Sequence, residues 1–193
     1  MKFTISRLEC LDLINRVSGM VSPKPVVPIL SNVLIEAYGS TVKMTTSDQV
    51  MGMHCTSQAL IEEEGGITLP MRHFAGLIRQ LTHHQLELHS QGLKTEILTP
   101  SSSFVLRGIH AAEYPALPTL AGAHQFNIPQ GTLKQLLMST SFAAARDDPR
   151  YVLASVMLKI HNNEVCFVAI DGRRLARTIH SLSVDRSATR YKT

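Results

Sequence analysis

Polar and apolar residues alternate with a period of two around Phe3 and Ile5, and the period then changes. Cys10, Leu13, Ile14 and Val17 recur at helical spacing and leave Glu9, Asp12 and Arg16 on the other side. This predicts a short strand leading into an amphipathic helix. Further on, "ILSNVLIEA" and "VKMTTSD" read as two strands joined through "YGST", where Gly39 suits a hairpin turn. "GGITLPMRHFAGLIRQL" reads as a strand running into a second helix. At about 100° per residue, Phe74, Leu77, Ile78 and Leu81 share one face of that helix, with Arg72 and Arg79 opposite. "QLELHS", "TEILTP" and "SSFVLRGI" are three more strand candidates, and "HAAEYPALPTLAGAHQ" reads as a crossing between domains.

The same order of elements then begins again. An offset of 123 positions, with no gap, places Phe3 on Phe126, Ile5 on Ile128, Leu13 on Leu136 and Ser18 on Ser141. It continues through Leu30 on Leu153, Val33 on Val156 and Val42 on Val165 to Asp48 on Asp171. The second copy is expected to open with a strand at Phe126 and Ile128. A helix beginning near Pro129 follows, with Leu133, Leu136, Leu137 and Thr140 on one face. "VLASVMLKI" and "EVCFVAID" then form a hairpin turning at Asn162-Asn163. The expected organisation is a complete unit over 1–122 and the N-terminal half of another over 123–193. Each unit places helices on a curved antiparallel sheet, an α+β class.

Composition narrows the function classes. With 44% hydrophobic and 18% charged residues among 193, the chain reads as globular. Arg7, Glu9 and Asp12 break the apolar core that a signal peptide would need, which points to a cytoplasmic protein. Charge is uneven: residues 1–123 carry 9 Lys and Arg against 10 Asp and Glu, whereas 124–193 carry 10 against 5. Cys10, Cys55 and Cys166 are widely spaced, so neither a disulfide framework nor a zinc site is expected. His83, His84 and His89 do not share the spacing of converging metal ligands. Ser101-Ser102-Ser103 lacks the glycine frame of a nucleophile elbow.

"AIDGRRLAR" is the stretch that most resembles chemistry. Its Asp171-Gly172 pair suits a tight turn, and Gly172 belongs to no phosphate-cradling loop motif. Arg173 and Arg174 are expected in solvent or at a cleft rim. Lys24 and Lys134 join Arg72 and Arg79 as cations suited to phosphates without base readout. Three readings stay open on the residues: a non-catalytic DNA-associated factor, a nucleotide-binding hydrolase using Asp171 and Arg174, and a stand-alone DNA-binding module without sequence preference.

The segments "MKFTISR", "PVVPILSNVLIE", "TTSDQVM", "LPMRHFAGLIRQL", "EYPALP", "RYVLASVML" and "DGRRLA" occur in the order found in bacterial beta sliding clamps. The chain resembles that family, the beta subunits of DNA polymerase III, along nearly its whole length. The resemblance implies a DNA-clamp fold of repeated domains, with domain three absent from this chain. It also implies a non-catalytic processivity factor whose full-length homodimer encircles double-stranded DNA. Lys24, Arg72 and Arg79 correspond to DNA-contacting positions, with Arg7 and Lys134 as weaker candidates. Leu153, Ile170, Gly172, Arg173, Arg174 and Leu175 correspond to a cleft for peptides of the replicative polymerase alpha subunit, the clamp loader and other proteins with a clamp-binding motif. Ile170 stands where threonine is usual and Arg173 where histidine is usual. Phe104 and Leu106 correspond to the edge that pairs with another subunit. No cofactor, metal or membrane is implied.

Overall fold

Strands that alternate in polarity need neighbours, and they find them within two compact units, Met1–Thr119 and Leu120–Thr193. The computed structural model describes residues 1–21, 25, 27–117, 127–146, 148–161 and 163–182, so Lys24 and Phe126 lie outside the described residues.

In the first unit β1 (Lys2–Ser6) passes directly into α1 (Arg7–Val17). Ser6 caps that helix, its Oγ accepting the Glu9 N–H at 3.1 Å. The predicted hairpin is β2 (Asn32–Tyr38) and β3 (Thr41–Ser47), with Gly39 at a φ of 59° in the turn. β4 (Gly52–Gln58), β5 (Leu60–Glu63) and β6 (Gly65–Pro70) follow, and β6 runs into α2 (Met71–Gln80). β7 (Gln85–Gln91), β8 (Lys94–Thr99), β9 (Ser102–Arg107) and β10 (Ile109–His110) come next.

These strands form two antiparallel sheets, ordered β5-β1-β7-β8-β9 and β10-β6-β2-β3-β4. One core joins both sheets and both helices. Phe3, Leu86 and Ile97 enter it from the first sheet, Ile35, Met44 and Leu69 from the second, and Ile14, Phe74 and Ile78 from the helices. Full burial of each large side chain contributes about 1.5–3 kcal/mol, so this shared core is what holds the helices in place. Thr46 adds a directional tie: its Oγ1 donates at 2.7 Å to the Val17 carbonyl at the end of α1.

The second unit contains α3 (Gln130–Met138) and a sheet of β11 (Met157–His161), β12 (Glu164–Ile170) and β13 (Leu175–Ser181), in that order. The 123-residue offset holds in three dimensions. It carries the bounds of β3 onto β12, those of β4 onto β13, and the 3-10 turn Ser18–Met20 onto Ser141–Ala143. It also preserves register: Ala37 opposite Val42 becomes Ile160 opposite Val165, and Ser47 opposite Gly52 becomes Ile170 opposite Leu175. The two units are copies of one plan.

The hydropathy pattern does not predict β4, β5 or β13. All three lie at sheet edges, where wet faces erase the alternation that marks a half-buried strand. The strand expected at Phe126 and Ile128 is not present at 127–129, and Ile128 instead packs half-buried beside Leu136 and Phe167. Its counterpart β1 pairs with β5 and β7, and the described residues of the second unit hold no equivalents of either. Leu137, expected on the buried face of α3, is 39% exposed, whereas its counterpart Ile14 is fully buried where α1 and α2 share a core. The stretch expected to cross between domains begins within the first unit: His110 is in β10, and Tyr114 is buried with Ile29 and Leu30.

Candidate functional site

α2 starts after Pro70 and carries no acidic residue in its first turn. Its apolar positions drive Met71, Phe74, Ala75 and Ile78 into the core, which forces Arg72 and Arg79 outward. The two arginines are seven residues apart, two turns along one exposed face. Among the described residues neither forms an ion pair. Arg79 Nη2 donates to Asn15 Oδ1 on α1 at 3.3 Å.

Arg7 is placed differently. Its Nε donates to the Ile78 carbonyl at 3.2 Å and its Nη2 to the Arg79 carbonyl at 3.0 Å, so its guanidinium caps the C-terminal end of α2. That role binds α1 to α2 and leaves Arg7 less available to an outside ligand. Lys134 is exposed on α3 in the second unit. These positions are brought together only in part: Arg7 and Arg79 meet at the C-terminal end of α2, Arg72 lies two turns away on the same helix, and Lys24 lies outside the described residues.

The second candidate surface is the β12–β13 connection. Asp171 Oδ1 accepts the N–H groups of Arg173 and Arg174, each at 2.9 Å, and its Oδ2 accepts Arg174 Nε at 2.7 Å. Gly172 sits at a φ of 87°, a conformation glycine adopts without a side-chain clash. Asp48 builds the same turn in the first unit, accepting the N–H groups of Val50 and Met51, with Gln49 at a φ of 79°. The turn presents Ile170 and Leu175, which face each other in register and are 37% and 61% exposed. The same two places in the first unit hold Ser47 and Gly52, so the exposed apolar pair belongs to the second copy alone.

Leu153 is half-buried, and its carbonyl accepts the Ala145 N–H at 2.8 Å. The neighbouring Ala144 packs on Ala169 and Ala176, which adjoin Ile170 and Leu175 in the chain. Leu153 is thus tied to the strands that carry the apolar pair, while Gly172, Arg173 and Arg174 form the exposed rim between them.

The backbone N–H bonds from Arg173 and Arg174, assisted by the Arg174 side chain, pull the Asp171 carboxyl down to about 2. A carboxylate so occupied is a poor general base near neutrality, which counts against a hydrolytic role for Asp171 and Arg174. Because the value is depressed, the turn's carboxylate contribution is complete above the ordinary carboxylate range near 4 and fades as pH falls through about 2. The amide proton resonances of Arg173 and Arg174 are expected to titrate with a midpoint near 2. A midpoint near 4, the ordinary aspartate value, would mean that the turn does not hold the carboxylate in this way.

β9 is a sheet edge that pairs with β8 alone. Its Phe104 and Leu106 side chains are half-buried and pack on the unit's own core, while Ser103, Val105 and Arg107 face outward. What this edge offers a partner is therefore mainly backbone, with the two apolar side chains only partly available. A cavity of about 320 Å3 beside it is lined by Gln91, Leu93, Lys94, Val105, Arg107 and Gly108, none of them a residue singled out from the sequence.

His83 Nε2 lies 2.7 Å from Ser101 Oγ in an exposed pair, and the described residues contain no cluster of His, Cys, Asp and Glu that could hold a metal. Cys10 is buried in the core, which pushes its thiol up to about 12. No helix of the described residues is long and apolar enough to cross a membrane.

Similarity to known proteins follows the same division. Residues 1–118 match the family model of the DNA polymerase III beta subunit, N-terminal domain, and residues 127–191 match that of its central domain. A beta sliding clamp of Chlamydia pneumoniae is 36% identical over 188 residues, covering 97% of this chain and 51% of that protein. The beta sliding clamp of Escherichia coli K12 is 33% identical over 179 residues, 91% of this chain and 49% of the relative. Among solved structures, a DNA polymerase sliding clamp from Bacillus subtilis superposes with a TM-score of 0.91 at 30% identity, over 97% of this chain and 52% of that one. The DNA polymerase III subunit beta of Pseudomonas aeruginosa gives 0.89 at 29% identity, over 96% and 51%. The chain spans about half the length of the curated relatives it matches.

Proposed function

The chain belongs to the DNA polymerase III beta subunit family, and from that premise we propose that it acts as the first half of a sliding-clamp subunit. Residues 1–122 form one clamp domain and 123–193 the start of a second, and the assembled homodimer encircles double-stranded DNA without reading its sequence. The observation that carries the DNA-facing part is the exposed arginine face of α2, with Arg72 and Arg79 turned away from the core. Diffuse cations on a rigid helix attract phosphate at any register, which is what a sliding contact requires. Lys24 and Lys134 add to that attraction, and Arg7 acts mainly through α2.

Ile170 and Leu175, with Leu153 behind them and Gly172, Arg173 and Arg174 at the rim, form one wall of a cleft for short apolar peptides. Its partners are the replicative polymerase alpha subunit, the clamp loader and other proteins bearing a clamp-binding motif. A protruding apolar pair beside a charged rim suits anchor-type recognition. The subunit catalyses nothing itself, uses no cofactor and works in the cytoplasm.

The open edge of β9, with Phe104 and Leu106 beneath it, is the subunit contact. A full-length subunit carrying this chain is expected to sediment at twice its monomer mass. A monomer at micromolar concentration would overturn the ring and leave a stand-alone DNA-binding module.

A further inference from the structure

Arg7 and Arg79 meet where α1 and α2 adjoin, Arg16 lies elsewhere on α1, and the three are held in two different ways. Arg16 is spent on an acid of its own helix, its Nε 2.8 Å from Asp12 Oδ2. Among the described residues, Arg79 and Arg7 are held by neutral acceptors. Arg79 Nη2 donates to the Asn15 amide oxygen at 3.3 Å, while the Arg79 backbone carbonyl accepts Arg7 Nη2 at 3.0 Å. Arg79 is therefore fastened at both ends, carbonyl and guanidinium, and among the described residues no carboxylate pairs with it.

The difference matters for an anion-binding side chain. A free arginine surrenders several rotatable bonds when it grips a phosphate, whereas a tethered one has already lost much of that freedom. An amide tether uses one of five guanidinium N–H donors and leaves the rest facing outward. A carboxylate tether would hold the side chain equally well but would repel the incoming phosphate. Arg7 contributes a second effect, since its positive charge lies on the last carbonyls of α2, the negative end of the helix dipole, beside the place where a phosphate would approach.

We propose that Asn15 is a positioning residue for DNA contact: it holds the Arg79 guanidinium in place by a neutral hydrogen bond, so that Arg79 meets phosphate pre-ordered and at full charge. The inference rests on the reading of the α2 face as a DNA surface. It assigns Asn15 no contact with DNA.

The experiment is a double-mutant cycle, Asn15→Ala, Arg79→Ala and both together. It is read as the binding of this 193-residue chain to a short DNA duplex over a salt series, with thermal melts of each variant. Asn15→Ala is expected to weaken binding about fivefold, from the ordering restored to one long side chain, without changing the salt slope. In the Arg79→Ala background the same change is expected to have no effect. Asn15→Gln, which keeps the amide oxygen, should regain most of the loss, and Asn15→Asp should flatten the slope by about one phosphate contact. An equal effect of Asn15→Ala with and without Arg79, or no effect in either, overturns the positioning role. If Arg79→Ala itself leaves binding and slope untouched, the DNA reading of the face fails first, so the two failures are distinguishable.

Discussion

Reversing Arg72 and Arg79 together to glutamate is expected to lower the affinity of this chain for duplex DNA by at least about a hundredfold at 50 mM salt, and to flatten the salt dependence by about two units of slope. The magnitude follows from counterion release. Each phosphate contact contributes about 0.9 to the slope of log affinity against log salt, which at 50 mM is roughly a tenfold gain per contact. Both side chains are exposed and, among the described residues, neither is engaged by an acid, so their charges are not already spent there. Both lie on the exposed face of α2, so the double variant should melt at nearly the parent temperature. Titration of a fluorescent duplex at several salt concentrations measures both quantities. A normal slope in the reversed variant would place the DNA elsewhere on the molecule.

Replacing Leu175 with aspartate is expected to weaken a polymerase-derived peptide about thirtyfold in the full-length clamp subunit, corresponding to about 2 kcal/mol for an apolar anchor at the centre of a small interface. Leu175 is 61% exposed and lies opposite Ile170, so a charge there sits on the apolar surface without disturbing Ala176 and Ala169 on the reverse of the sheet. Substituting Arg173 by glutamate should act differently. A rim charge changes the association rate and its salt dependence more than the lifetime of the complex. Surface plasmon resonance separates the two. Unchanged peptide affinity in Leu175→Asp would remove the cleft from this end of β13.

Much of this organisation was legible in the residues. Apolar runs flanking turn residues in "NVLIEA" and "EVCFVAI" marked the hairpin strands, and the helical spacing of Phe74 and Ile78 already implied that Arg72 and Arg79 face outward. The 123-residue repeat was visible because both copies keep the same spacing between matched positions, which carries β3 onto β12 and β4 onto β13 without a gap. The edge strands were illegible for the opposite reason: "GMHCTSQ" has no consistently dry face, so nothing in its pattern separates it from a loop. Arg7 looked like a free cation because its partners, the carbonyls of Ile78 and Arg79, lie more than seventy positions away and are backbone atoms. Asn15 gave no signal at all, since an asparagine on a wet helical face is unremarkable until Arg79 is seen beside it. The pairing of Ile170 with Leu175 depends on β13, which the pattern did not reveal, so that surface came from resemblance and not from periodicity.

Topology separates an encircling protein from one that merely adheres to DNA. The full-length subunit, loaded onto a nicked circular plasmid and washed at moderate salt, should remain bound and then be lost when a restriction enzyme opens the circle, because a closed ring leaves only by sliding off an end. Equal retention on circular and linear plasmid would contradict the ring and leave only phosphate attraction.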